Sequence, residues 1–153
     1  MKLDFDFYKR LFVVFVAILQ PFIIYSVCGN IPSISSSWDT ILQPLFIITN
    51  AMVSYFFFDL PKWRIPAVSL LLLTAFPTTE YKTFHDIVAI LFFITCLYPI
   101  FNLKRFRYYL LIYLFSLIVG LFFGLFWMET WGIITLCIYH LHLMLFTHRF
   151  VSR

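Results

Sequence analysis

Ten of the eleven Lys and Arg residues fall into four clusters separated by apolar runs, and that alternation constrains the chain more than any other feature. The clusters are Lys2/Lys9/Arg10, Lys62/Arg64, Lys104/Arg105/Arg107 and Arg149/Arg153, with only Lys82 elsewhere. Short loops rich in Lys and Arg stay cytoplasmic. The pattern therefore predicts an all-α, six-span membrane bundle with the N-terminus and C-terminus both cytoplasmic. The junctions on the other side, Cys28 to Asp39, Pro77 to Thr83 and Met128 to Thr130, carry Asp39, Glu80 and Glu129 and almost no positive charge.

Composition agrees. A chain that is 63% apolar, 22% aromatic and 12% charged lacks the polar surface to cover a water-soluble globule. Its net charge of +4 follows from the positive-inside bias, so it does not point to a nucleic-acid partner, and no nucleic-acid module is evident. The three cysteines, Cys28, Cys96 and Cys137, are odd in number and widely spaced, which argues against a disulfide framework. The apolar run Leu11 to Val27 ends without the small residues of a signal-peptidase site and reads as an uncleaved first span.

The predicted spans are 10–28, 40–60, 64–78, 84–102, 106–127 and 130–149, forming a single domain over residues 1–153. Backbone polar groups inside a bilayer must be satisfied internally, so these spans are helices. The third is the weakest, because Pro66 and Pro77 bracket only the short run Ala67 to Phe76. It is expected to stop below the outer surface and leave a dent. Trp38, Trp127 and Trp131 are expected in an outer aromatic belt and Trp63 at the inner interface.

Several residues carry candidate chemistry. Ser116, Gly120 and Gly124, spaced by four, form a small-xxx-small stripe suited to close helix packing. Gln43, Asn50 and Ser54 share one face of the second span and are expected to point into the bundle, as hydrogen-bonding groups or as a polar lining. Ser33 and Ser35 lie in the outer loop Gly29 to Asp39, a solvated connector or a binding loop. The ionisable residues within or beside spans are His85, Asp86, Glu129, His140 and His142, each a functional candidate by its position. His85, Asp86 and Glu129 start helices at one membrane depth and are predicted to cluster as acid/base groups or ligands. The competing reading is helix capping, with Thr83 capping toward Asp86, and Glu129 serving the last span. His140 lies about 16 Å deeper than Glu129, and His140 and His142 are about 200° apart on a helix, so they do not form a chelating pair. Both are expected to make interior hydrogen bonds or lateral polar contacts. No metal or cofactor signature is present in the sequence.

Ile31 to Ser35, Pro44 to Phe46, His85 to Ala89 and Glu129-Thr130-Trp131 together resemble the six-span family of the damage-regulated autophagy modulators and the GPI-anchor remodelling proteins, with similar bacterial membrane proteins. Thr130, standing between Glu and Trp, departs from that pattern. The resemblance implies lipid handling or support of partner membrane proteins, without a catalytic mechanism to transfer. Three functions compete. The first is a non-enzymatic membrane module that binds lipid, a membrane-protein partner or a second copy of itself through an outer-leaflet polar site. The second is an intramembrane lipid hydrolase or transferase using His85, Asp86 and Glu129, with an outer-loop serine as nucleophile. The third is a small oligomeric channel or toxin.

Overall fold

Helices account for every regular segment that the computed structural model describes, over residues 5–103 and 106–151, with side chains to 146. Lys2, Lys104, Arg105 and Arg153 lie outside the described residues, as does the side chain of Arg149. The order is α1 (Phe5–Cys28), a 3-10 turn (Ser35–Asp39), α2 (Gln43–Phe58), a second 3-10 turn (Pro61–Trp63), α3 (Arg64–Ala75), α4 (Thr78–Thr95), α5 (Leu97–Asn102), α6 (Tyr108–Phe123) and α7 (Leu125–Val151). Three stretches are long and apolar enough to cross a membrane: Phe5–Cys28, Thr78–Asn102 and Leu125–Phe146. Gln43–Phe58 and Tyr108–Phe123 are shorter apolar helices.

Prolines set many of the boundaries. Pro44 and Pro61 occupy first-turn positions, where a missing N–H costs nothing. Pro77 precedes α4 in extended backbone and ends the α3 segment. Pro99 cannot donate to the Thr95 carbonyl and clashes with it, which places the break between α4 and α5 at Cys96. Pro21 lies inside α1 on the buried stripe Val13, Ala17, Gln20 and Ile24.

Several boundaries differ from the sequence expectation. The third helix has 12 residues, about 18 Å at 1.5 Å per residue, shorter than the predicted 64–78. The fourth starts six residues before the expected residue 84, with non-helical backbone at Tyr81, so the expected outer junction Pro77 to Thr83 is largely helical. The last two helices meet at Gly124, whose φ of +111° and ψ of 166° belong to a region open essentially to glycine alone. The expected continuous span 106–127 therefore breaks there, and Gly124 acts as the turn of a hairpin and not as a member of a helix stripe.

The helices pack as a ring of neighbours: α1 lies between α2 and α7, α3 joins α2 to α4, and α6 lies against α7 with α5 at its start. Gly120 makes the closest approach, since a Cβ there would lie 2.3 Å from Met128 Cα on α7. Gly132, on α7, leaves room for Leu117 and Phe93, each of which would come within 2.9 Å of an added Cβ. Ser116 is half-buried and donates to the Tyr113 carbonyl of its own helix at 2.7 Å. Trp63 is a correction: it is 3% exposed and packs on His140 with ring centroids 4.3 Å apart, so it is a core residue instead of an interfacial anchor. Charge separates along the bundle. Arg10 pairs with Asp59 at 3.6 Å and shares a cavity with Lys62, whereas Glu129 and Asp39, the last residue of the Ser-rich loop, lie at the opposite end.

Candidate functional site

The Ser-rich loop is folded onto the bundle. Its 3-10 turn leaves the N–H groups of Ile34 and Ser35 without partners inside the turn, as at the start of any helix. Glu129 supplies the acceptor. The Ile34 N–H donates to Glu129 Oε2 at 2.6 Å, and the Ser35 N–H faces the same carboxylate. Ser33 Oγ accepts from the Ser36 N–H at 3.1 Å and lies 3.0 Å and 2.8 Å from the hydroxyls of Ser35 and Ser36. Trp38 Nε1 donates to the Thr74 carbonyl at 3.3 Å. Asp39 accepts from the hydroxyls of Thr78 and Thr79. The loop is thus fastened to α7, α3 and α4 at once.

Glu129 lies four residues inside α7, so it does not cap that helix, as the sequence suggested. It caps the loop's 3-10 turn from 95 positions away. Thr130 bonds back to the Phe126 carbonyl. The Thr83 cap is also replaced: the residue before α4 is Pro77, with no side-chain cap bond, and Thr83 sits within the helix. His85 is buried, and its Nδ1 lies 2.9 Å from the Phe76 carbonyl. A carbonyl only accepts, so Nδ1 carries the proton there, and Nε2 is enclosed without a partner. Asp86 is exposed. Among the described residues no three His, Cys, Asp or Glu side chains form a metal-ligand group.

A second site lies toward the other end, and it takes in two of the sequence candidates, Asn50 and His140. A cavity of about 500 Å³ is enclosed by α1, α2, α3 and α7, with contributions from α4 and α5. Its walls are mostly apolar, from Val13 and Ala17 to Leu136 and Leu143, and Arg10 and Lys62 line it as well. Gln20, Thr49, Asn50 and His140 add polar groups to the wall. Gln20 Nε2, Thr49 Oγ1 and His140 Nε2 are buried without hydrogen-bond partners. The His140 ring is held between Trp63 and Phe57, at centroid distances of 4.3 Å and 5.0 Å.

The remaining sequence candidates take distinct places. Ser54 Oγ donates to the Ala67 carbonyl at 2.6 Å and ties α2 to α3. Asn50, one turn earlier, is a cavity residue. Gln43 is half-buried at the start of α2. His142 is exposed and meets the hydroxyls of Tyr108 and Tyr109 at 3.1 Å and 3.2 Å, apart from His140. Sequence reading missed Gln20 and Thr49. The signal for Gln20 was an amide inside the apolar run 11–27, on the stripe of Val13, Ala17 and Ile24.

No family model, curated protein or solved structure matches this chain.

Proposed function

We propose that the chain is a six-span membrane protein with both ends cytoplasmic, which binds a membrane lipid without catalysing a reaction on it. The cavity carries this reading. Its volume of about 500 Å³ is in the range of small-molecule sites, which combine apolar walls with a few polar groups. Lipid is the apolar ligand most available to a site of that kind inside a bilayer. In this reading α1, α2, α3, α4 with α5, α6 and α7 are the six spans, and the cavity opens at the cytoplasmic end marked by Arg10 and Lys62. The loop held by Glu129 closes the outer end, so the binding site moves from the outer leaflet to the inner one. The resemblance to the autophagy-modulator and GPI-remodelling family is consistent with lipid handling and is itself a proposal resting on short motifs.

The hydrolase or transferase alternative is less well supported, because the Glu129 carboxylate is engaged by loop N–H groups and His85 Nδ1 by a carbonyl. The test is native mass spectrometry of protein released from membranes in mild detergent. The expected result is one retained lipid per chain, lost when Leu136→Trp or Val53→Phe fills the cavity. Equal lipid retention by folded cavity-filled variants would overturn the reading.

A further inference from the structure

A surface groove runs beside the cavity. It is lined by Lys9 and Phe12 of α1 and by Ala51, Met52 and Tyr55 of α2, and Val13 and Phe56 line both the groove and the cavity. Phe12 and Tyr55 are 58% and 67% exposed, so on a spanning helix pair this face meets lipid tails. Only the Val13 and Phe56 side chains are common to the two spaces. Phe56 is half-buried, and the Arg10 guanidinium stands 5.7 Å from its ring centroid.

The charged side chains that line these spaces are all basic, although Lys9 is paired with Asp6 at 3.6 Å just outside the groove. Arg10 and Lys62 line the cavity and Lys9 lines the groove, while neither is lined by an Asp or Glu. Arg10 meets the half-exposed Asp59 at 3.6 Å, and a guanidinium with five N–H donors has others to offer an oxyanion. The far end of the cavity is polar. Gln20 lies ten residues from Arg10 along α1, about 15 Å at 1.5 Å per residue. There the unpartnered Gln20 Nε2 and Thr49 Oγ1 end the apolar wall.

We propose that the cavity selects single-chain anionic amphiphiles, the acidic head held by Arg10 and Lys62 and the chain admitted sideways from the bilayer between α1 and α2 past Phe56. This inference rests on the lipid-binding reading above and adds the head-group charge and the route. The polar far end favours a medium-length chain, because a longer one has to push apolar carbon against Gln20 and Thr49. Turning the Phe56 ring joins groove and cavity without moving a helix, and it takes place beside the cation that receives the head.

The probes are lauroyl lysophosphatidic acid and lauroyl lysophosphatidylcholine, which share a chain and differ in head charge, together with inorganic phosphate alone. The protein is purified as the full chain and reconstituted in phosphatidylcholine nanodiscs. About thirtyfold tighter binding of the anionic probe is expected from two basic contacts worth about 1 kcal/mol each. The double variant Arg10→Gln with Lys62→Gln brings that ratio close to one by weakening the anionic probe more than the zwitterionic one. Inorganic phosphate does not compete at concentrations that leave the protein folded, because the chain supplies most of the affinity. Phe56→Ala speeds association of both probes several-fold with the ratio unchanged.

Equal affinity for the two heads in the unmodified protein overturns the charge assignment and leaves the lipid-binding reading standing. Unchanged association rates in Phe56→Ala overturn the lateral route. Competition by inorganic phosphate alone shows an anion site in place of a lipid site. If neither probe binds and Val53→Phe changes nothing, the lipid-binding reading itself falls, which separates its failure from that of the selectivity.

Discussion

At the scale of single residues, Glu129 shows how one side chain can define a loop. Its carboxylate accepts a buried hydrogen bond from Ile34, so removing it leaves a donor unsatisfied, at a cost of about 1–3 kcal/mol. Glu129→Ala is expected to lower the unfolding temperature in detergent and to speed hydrogen exchange at Ile34 and Ser35. Glu129→Gln, which keeps an acceptor oxygen, should lose less. Identical melting of the alanine variant and the unmodified protein would show that the loop is held by its other ties. The glycines give a second ordering. Gly120→Ala places a methyl 2.3 Å from backbone, at Met128 Cα, whereas Gly132→Ala meets side-chain atoms of Leu117 and Phe93 at 2.9 Å. Side chains can turn aside and backbone cannot, so Gly120→Ala should cost at least the 1–3 kcal/mol typical of overpacking and Gly132→Ala less. Comparison of the two thermal midpoints decides it.

At the scale of elements, the α6–α7 hairpin rests on a single residue. Gly124 alone separates Phe123 from Leu125, with backbone angles that cost another residue about 1–3 kcal/mol. Among the described residues no heavy atom beyond the adjoining Phe123 and Leu125 lies within 4 Å of where its Cβ would be, so the effect of Gly124→Ala is one of conformation and not of crowding. The variant is expected to be destabilised by that amount, and its loss should not be relieved by trimming neighbouring side chains. Full stability of Gly124→Ala would mean that the turn can be made another way. The short α3 follows the same logic of local limits. Its 12 residues end at the extended pair Phe76 and Pro77, and Trp38 and Asp39 from the Ser-rich loop bond to Thr74, Thr78 and Thr79 around that end. The expected dent is therefore occupied by the loop.

At the scale of the whole molecule, the two ends differ in chemistry. One gathers Arg10, Lys62 and an open cavity, and the other is closed by a loop fastened to Glu129 and, through its own Asp39, to Thr78 and Thr79. In the proposed topology the positive-inside rule puts the cavity end in the cytoplasm. Reporter fusions at Met1 and after Arg153 should therefore both report a cytoplasmic location, and a fusion in the loop at Asn30 an external one. An external C-terminus would remove the six-span arrangement, with α3 as the first helix to be reassigned.

What sequence alone determined here is what depends on local chemistry: helical class from apolar runs that need internal backbone pairing, approximate helix positions from the alternation of those runs with polar junctions, breaks from the prolines, and an inward stripe holding Asn50 and Ser54. Helix ends were less legible, because Gly124 and Tyr81 break the chain through backbone angles that residue patterns do not display. Glu129 stood out as an ionisable residue near a span, but its partner is 95 positions away, and no spacing rule reaches that far. The cavity was invisible for the same reason. Arg10, Gln20, Thr49, Lys62 and His140 are scattered over three helices and a turn, and only the packing of α1 between α2 and α7 turns them toward one space. Local interactions choose helices; tertiary packing decided which polar groups were left unpaired beside a cavity, because pairing depends on neighbours that the chain brings together only when folded.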